Sequence, residues 1–204
     1  MSPRVKFLCG LVAFTVVLRL IPYVLTRYDY VVDSSTIFYP WNFIPLAAVC
    51  LYSGAYMSDR RLSFGLPLLA LFVSDLGIWA LTGQFAWAFP SDRWAVYVCY
   101  MITIFLGSGL GQRTWPMRGV DAFARGMLAE AIFFTVTNFA YFLVQTDLPH
   151  TTVGLIACYV AAIPFAGKSF LSTAIFSVLL LSPLAVVGTA PMEKHEPQTE
   201  SAMS

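Results

Sequence analysis

Charge is what this chain has least of. Asp, Glu, Lys and Arg make up 11% of its 204 residues, where an ordinary soluble domain carries about 25%. That scarcity argues against a solvated globular surface. The net charge of +1 says nothing about nucleic acid, but no basic patch suited to a phosphate backbone is evident, so no nucleic-acid partner is expected. Cysteine is sparse: Cys9, Cys50, Cys99 and Cys158 lie far apart, with no C-x-x-C pair and no histidine at ligand spacing. They read as small buried residues, so neither a metal nor any other cofactor is expected. Nucleotide-binding loops, H-E-x-x-H and G-x-S-x-G are all missing. The chain cannot hydrolyse ATP itself and is not expected to be an enzyme. No internal repeat is evident.

Apolar length is what the chain has in abundance. Hydrophobic residues make up 58% of it and the mean hydropathy is +0.73. Crossing a hydrocarbon core of about 30 Å takes about 20 apolar residues per helix. Six stretches suit that purpose: Phe7–Leu25, Asn42–Met57, Ser63–Leu81, Trp94–Gln112, Gly126–Gln145 and Gly167–Val187. The fold class expected is therefore all-α, a polytopic membrane protein with six transmembrane helices in one domain, residues 1–190. The second stretch is short and is expected to tilt or to thin the bilayer. The first has the basic start of a signal peptide, but Arg19 and Pro22 interrupt it and no A-x-A-like site follows; it is expected to be retained. The polar tail, residues 191–204, lacks core-forming residues and is expected to be disordered and cytoplasmic.

Lys and Arg collect in alternate connections. Arg4, Lys6, Arg60, Arg61, Arg113, Arg118, Arg125 and Lys194 fall on one side, against Arg27, Arg93 and Lys168 on the other. The positive-inside rule then puts both termini in the cytoplasm. Thr152–Phe165 is apolar but too short to span, and Pro149 and Pro164 bracket it. It is expected to be a re-entrant or lid segment on the outer side.

Arg19, Asp75 and Glu130 are the ionisable groups within spans, where each costs about 2.5–3.5 kcal/mol on insertion scales. Arg19, Asp75 and Asn138 are each twelve residues past the inner end of their spans, about 18 Å up. The opposite signs of Arg19 and Asp75 suit a pair. Either that pair is a structural clasp, or with Asn138 it lines a pocket open to the outside; one clasp can do both. Glu130 lies lower and is expected to snorkel inward or to pair with Arg113 or Arg125. Asn42, Tyr97, Tyr100, Lys168, Ser169, Thr173, His150 and Tyr159 gather at the outer level. Gly107 and Gly111, and the run Ser53-Gly54-Ala55, offer faces for close helix packing.

Several short motifs bear a resemblance. They are Arg19 with Pro22, Asn42-Phe43-Ile44-Pro45, Leu51-Tyr52-Ser53-Gly54-Ala55-Tyr56, Pro67-Leu68-Leu69, Ser74-Asp75-Leu76, Thr137-Asn138-Phe139, Gly154-Leu155, Cys158-Tyr159 and Ile163-Pro164-Phe165. With them the chain resembles an uncharacterised bacterial family of six-span membrane proteins, itself similar to the substrate-binding (S) components of energy-coupling-factor (ECF) transporters. The resemblance implies an inner-membrane protein with both termini inside, holding a vitamin or metal ion near its outer face. It also implies a membrane scaffold and two ATPases as partners. The function expected is binding or transport of a small solute in an outward-facing pocket. Asp75, Arg19, Asn42, Asn138 and Tyr159 are the ligand-binding candidates, with the segment from His150 to Phe165 as cover. The alternative is a structural or assembly subunit of a larger membrane complex. Partners expected are membrane lipids, a small-molecule ligand and other membrane proteins.

Overall fold

A computed structural model of the protein describes residues 3–28, 43–144 and 148–186. Helices α1 (Pro3–Arg27), α2 (Leu46–Tyr56), α3 (Arg60–Thr82), α4 (Phe85–Ala88), α5 (Arg93–Gly107), α6 (Met117–Val144), α7 (Thr152–Leu180) and α8 (Pro183–Val186) follow one another, with no strand among the described residues. Five stretches are long and apolar enough to cross a membrane: α1, α3, α6, α7, and Phe85–Gln112, which contains α5. The chain is a multi-pass helical bundle. The expected tail, residues 191–204, and Asn42 lie outside the described residues.

The shortest of the main helices is the axis. Every residue of α2 from Leu46 to Ser53 is buried, and α1, α3, α5, α6 and α7 all pack on it. A helix apolar on all sides is stable only when surrounded, and here protein surrounds it. Its 11 residues reach about 16 Å. The expected adjustment to lipid thickness is thus unnecessary, because α2 meets other helices and not acyl chains. Ser172 of α7 donates to the Ile44 carbonyl at 2.8 Å, satisfying the entry to α2. At its other end the hydroxyls of Ser53 and Ser63 donate to each other's carbonyls, closing the α2–α3 hairpin.

Small residues let α2 and α5 approach backbone to backbone. A Cβ on Gly54 would strike the Ile104 carbonyl, and one on Gly107 the Leu51 carbonyl. Gly111 sits likewise against Ala55. The two small-residue faces expected from the sequence pack on each other.

Two boundaries differ from expectation. Helix α6 starts at Met117, nine residues before Gly126. Arg118, Asp121 and Arg125 read as a polar connection, yet each finds a partner in the first turns. Arg125 donates to the Leu106 and Ser108 carbonyls at 2.8 Å, capping α5. Arg118 donates to Leu181 O at 2.7 Å, and Arg113 pairs with Asp121 at 3.3 Å. The second difference is α7. Thr152–Phe165, expected as a separate lid, is the first half of one 29-residue helix continuing through Pro164. Proline removes a single backbone donor, and bundles of this kind tolerate that loss. Thr151 starts the helix by accepting from the Gly154 amide. Among the described residues six apolar passes therefore remain, five of them long enough to cross a membrane and α2 shorter.

Candidate functional site

Asp75, on the inward face of α3, is fully buried. Its carboxylate gathers donors from two further helices. Arg19 of α1 reaches Oδ1 at 2.7 Å and also donates to Ser74 Oγ at 2.5 Å and the Leu71 carbonyl at 3.2 Å. Arg93, the first residue of α5, grips the carboxylate from the other side: Nε meets Oδ2 at 2.8 Å and a terminal nitrogen meets Oδ1. Tyr97, one turn along α5, donates to Oδ2 at 3.2 Å. The expected Arg19–Asp75 pair is present, and Arg93 makes it a three-helix clasp. A bidentate guanidinium–carboxylate pair is among the strong, geometrically specific hydrogen-bonded pairs. Sequence reasoning placed Arg93 in an outer loop; its i, i+4 spacing from Tyr97 was the available signal. The trio carries one positive charge in excess.

Glu130 of α6 forms a second polar centre. It is 5% exposed and pairs with neither Arg113 nor Arg125, which are engaged as described. Ser169 and Thr173, one turn apart on α7, donate to its two oxygens at 2.8 and 2.5 Å. The earlier start of α6 explains the error in depth. Arg19, Asp75 and Glu130 lie sixteen, fifteen and thirteen residues into their helices, all about 20–24 Å along. Glu130 therefore shares the level of the clasp.

Beside Glu130 a cavity of 250 Å³ opens between α5, α6 and α7, lined by Tyr100, Phe133, Asn138, Phe165 and Ser169 among others. Tyr100 lines it and sets its ring against Phe133, centroids 5.3 Å apart and tilted. Asn138 thus joins Glu130, not Asp75; its amide nitrogen donates to the Phe134 carbonyl at 2.7 Å. Tyr159 spends its hydroxyl on the Thr135 carbonyl at 2.6 Å and sets its ring against Phe134, behind the cavity lining. Of the expected ligand-binding residues, Asp75 and Arg19 meet in the clasp, Asn138 lines the cavity, and Tyr159 braces it. Among the described residues no cluster of three His, Cys, Asp or Glu could hold a metal ion, and the four cysteines are free.

An apolar multi-pass bundle, an ion-paired clasp at the end where α5 begins and a carboxylate-lined cavity define an integral membrane protein with a polar interior site. The chain belongs to the family of unknown function DUF6580, whose sequence pattern matches residues 1–196. No curated protein and no solved structure matches it.

Proposed function

We propose that this protein binds a small amine-bearing solute in the Glu130 cavity, as a step in moving that solute across a bacterial inner membrane, and that it performs no chemical step. The observation that carries the reading is a carboxylate 5% exposed near the middle of the apolar helix α6 with a 250 Å³ cavity against it. Ionisable groups at such depth are costly and mark solute paths. Small-molecule sites run about 300–1,000 Å³, so the cavity suits a solute at the small end. A carboxylate among Tyr100, Phe133, Phe134, Phe165 and Phe170 offers an ammonium both charge and aromatic faces. Six passes and a carboxylate-lined cavity between helices support an S-component-like role, working with a separate membrane scaffold. The Lys and Arg distribution supports both termini being cytoplasmic.

A second reading, a structural subunit of a larger complex, is favoured by the saturation of Asp75. In that case the clasp is the point of the buried charge, and the protein co-purifies with fixed partners. Thermal unfolding of the detergent-purified protein with a panel of primary, tertiary and quaternary amines separates the two. At a hundredfold excess over Kd a ligand adds about 2.7 kcal/mol, a shift of several degrees. At least one amine is expected to give that shift in the native protein and none in Glu130→Gln. An unmoved melting temperature across the panel, or an equal shift in Glu130→Gln, rejects the solute reading.

A further inference from the structure

The bundle has another cavity, at the end where the chain begins. It measures 680 Å³, and Arg4 of α1, Arg60 of α3 and Arg118 of α6 line it together with Tyr56, Ser58 and Gln112. Among the described residues no carboxylate lines it. The nearby ones are engaged: Asp59 accepts from the Arg61 amide, and Asp121 pairs with Arg113. Among the described residues the Arg60 side chain makes no hydrogen bond or ion pair, and the Arg4 side chain makes only a contact over the Tyr56 ring, at 5.7 Å. Arg118 holds Leu181 O and Arg113 O through Nε and one terminal nitrogen, leaving its other terminal nitrogen for a ligand. The Tyr56 hydroxyl is buried with no hydrogen-bond partner. A buried polar group without a partner costs free energy, and Tyr56 is among the residues that line the cavity.

We propose that this cavity binds a phosphate group. Three arginines from three helices line one cavity together with Tyr56, and among the described residues no carboxylate is in its lining. Their planar forks match tetrahedral phosphate oxygens. The phosphate arrives either as the headgroup of an anionic lipid or as a soluble phosphate or phosphoester. The Lys- and Arg-rich end of a membrane protein faces the leaflet where anionic lipids concentrate, and the same cavity is open to soluble anions there. The site is independent of the Glu130 cavity.

The test uses the full chain in an uncharged detergent. Its thermal unfolding is followed with inorganic phosphate against chloride at matched ionic strength, and with short-chain phosphatidylglycerol against the corresponding diacylglycerol. Stabilisation by phosphatidylglycerol alone supports the proposal with a lipid as the source; stabilisation by inorganic phosphate supports it with a soluble one. Arg4→Gln with Arg60→Gln is expected to weaken the effective ligand about tenfold or more, and Tyr56→Phe less. If the double variant fails to fold, Arg60→Gln alone carries the test, since Arg60 holds nothing in the bundle. Arg60→Gln leaves the amine shift through Glu130 intact, so the two sites fail separately. No stabilisation by either phosphate source, or full stabilisation retained in the Arg60 variants, overturns the proposal.

Discussion

Asp75 shows how a single carboxylate organises three helices. Arg19 and Arg93 are 14% and 17% exposed at their side chains, and Asp75 not at all. The charges are largely out of solvent, and the pairing offsets their burial. Asp75→Asn leaves two guanidiniums without an anion. Such a loss costs about 3–5 kcal/mol, and a circular-dichroism melt of the purified variant should show a markedly lower transition. Adding Arg93→Gln should recover part of the loss, because one fewer guanidinium is left unpaired. A lowering by Asp75→Asn that Arg93→Gln merely adds to would contradict the clasp. The Arg19–Asp75 half was legible in the sequence, since opposite charges at matched depth in apolar helices have few other fates. Arg93 was not, because it stands at the helix boundary, where a sequence looks the same for loop and first turn. Glu130 was misplaced for the same reason, its helix starting nine residues earlier among charges that resembled a loop.

Helix α2 sets the packing of the elements. Its closeness to α5 depends on glycines whose missing side chains admit a facing carbonyl. Gly107→Ala should destabilise the bundle by about 1–3 kcal/mol, as overpacking does. Gly10→Ala is the control: a Cβ there meets nothing within 4 Å, and its melting temperature should be unchanged or slightly raised. Equal effects at the two positions would mean that α2 and α5 do not touch as described. The pairing of these small-residue faces was readable as a tendency. That α2 would be the axis was less so, because a short apolar run fits a tilted span as well as an enclosed helix. Pro149 and Pro164 pointed to a separate lid, but a long helix absorbs one missing donor and α7 runs through.

Across the whole molecule the chain passes six times, so successive connections alternate between two faces. Ser58 and Thr114 fall at one end, Gln84 and Ser91 at the other, all exposed. Single cysteines at these positions, in a background with the native cysteines replaced, should react with a membrane-impermeant maleimide in two groups. Ser58→Cys and Thr114→Cys should label only in inverted vesicles, Gln84→Cys and Ser91→Cys only in intact cells. Labelling of Ser58→Cys and Gln84→Cys from one side would mean that α3 does not cross; a clean reversal would keep the fold and invert its orientation. Composition and hydropathy by themselves determined the all-helical membrane class, the alternation of charge and the sign-matched pair, because a solvent without hydrogen bonds leaves a chain few choices. Which helix lies at the centre, that Arg93 completes the clasp, and that Glu130 rather than Asp75 faces open space were decided only by the tertiary structure. These depend on helix ends and on which faces turn toward each other, and packing between distant segments sets both.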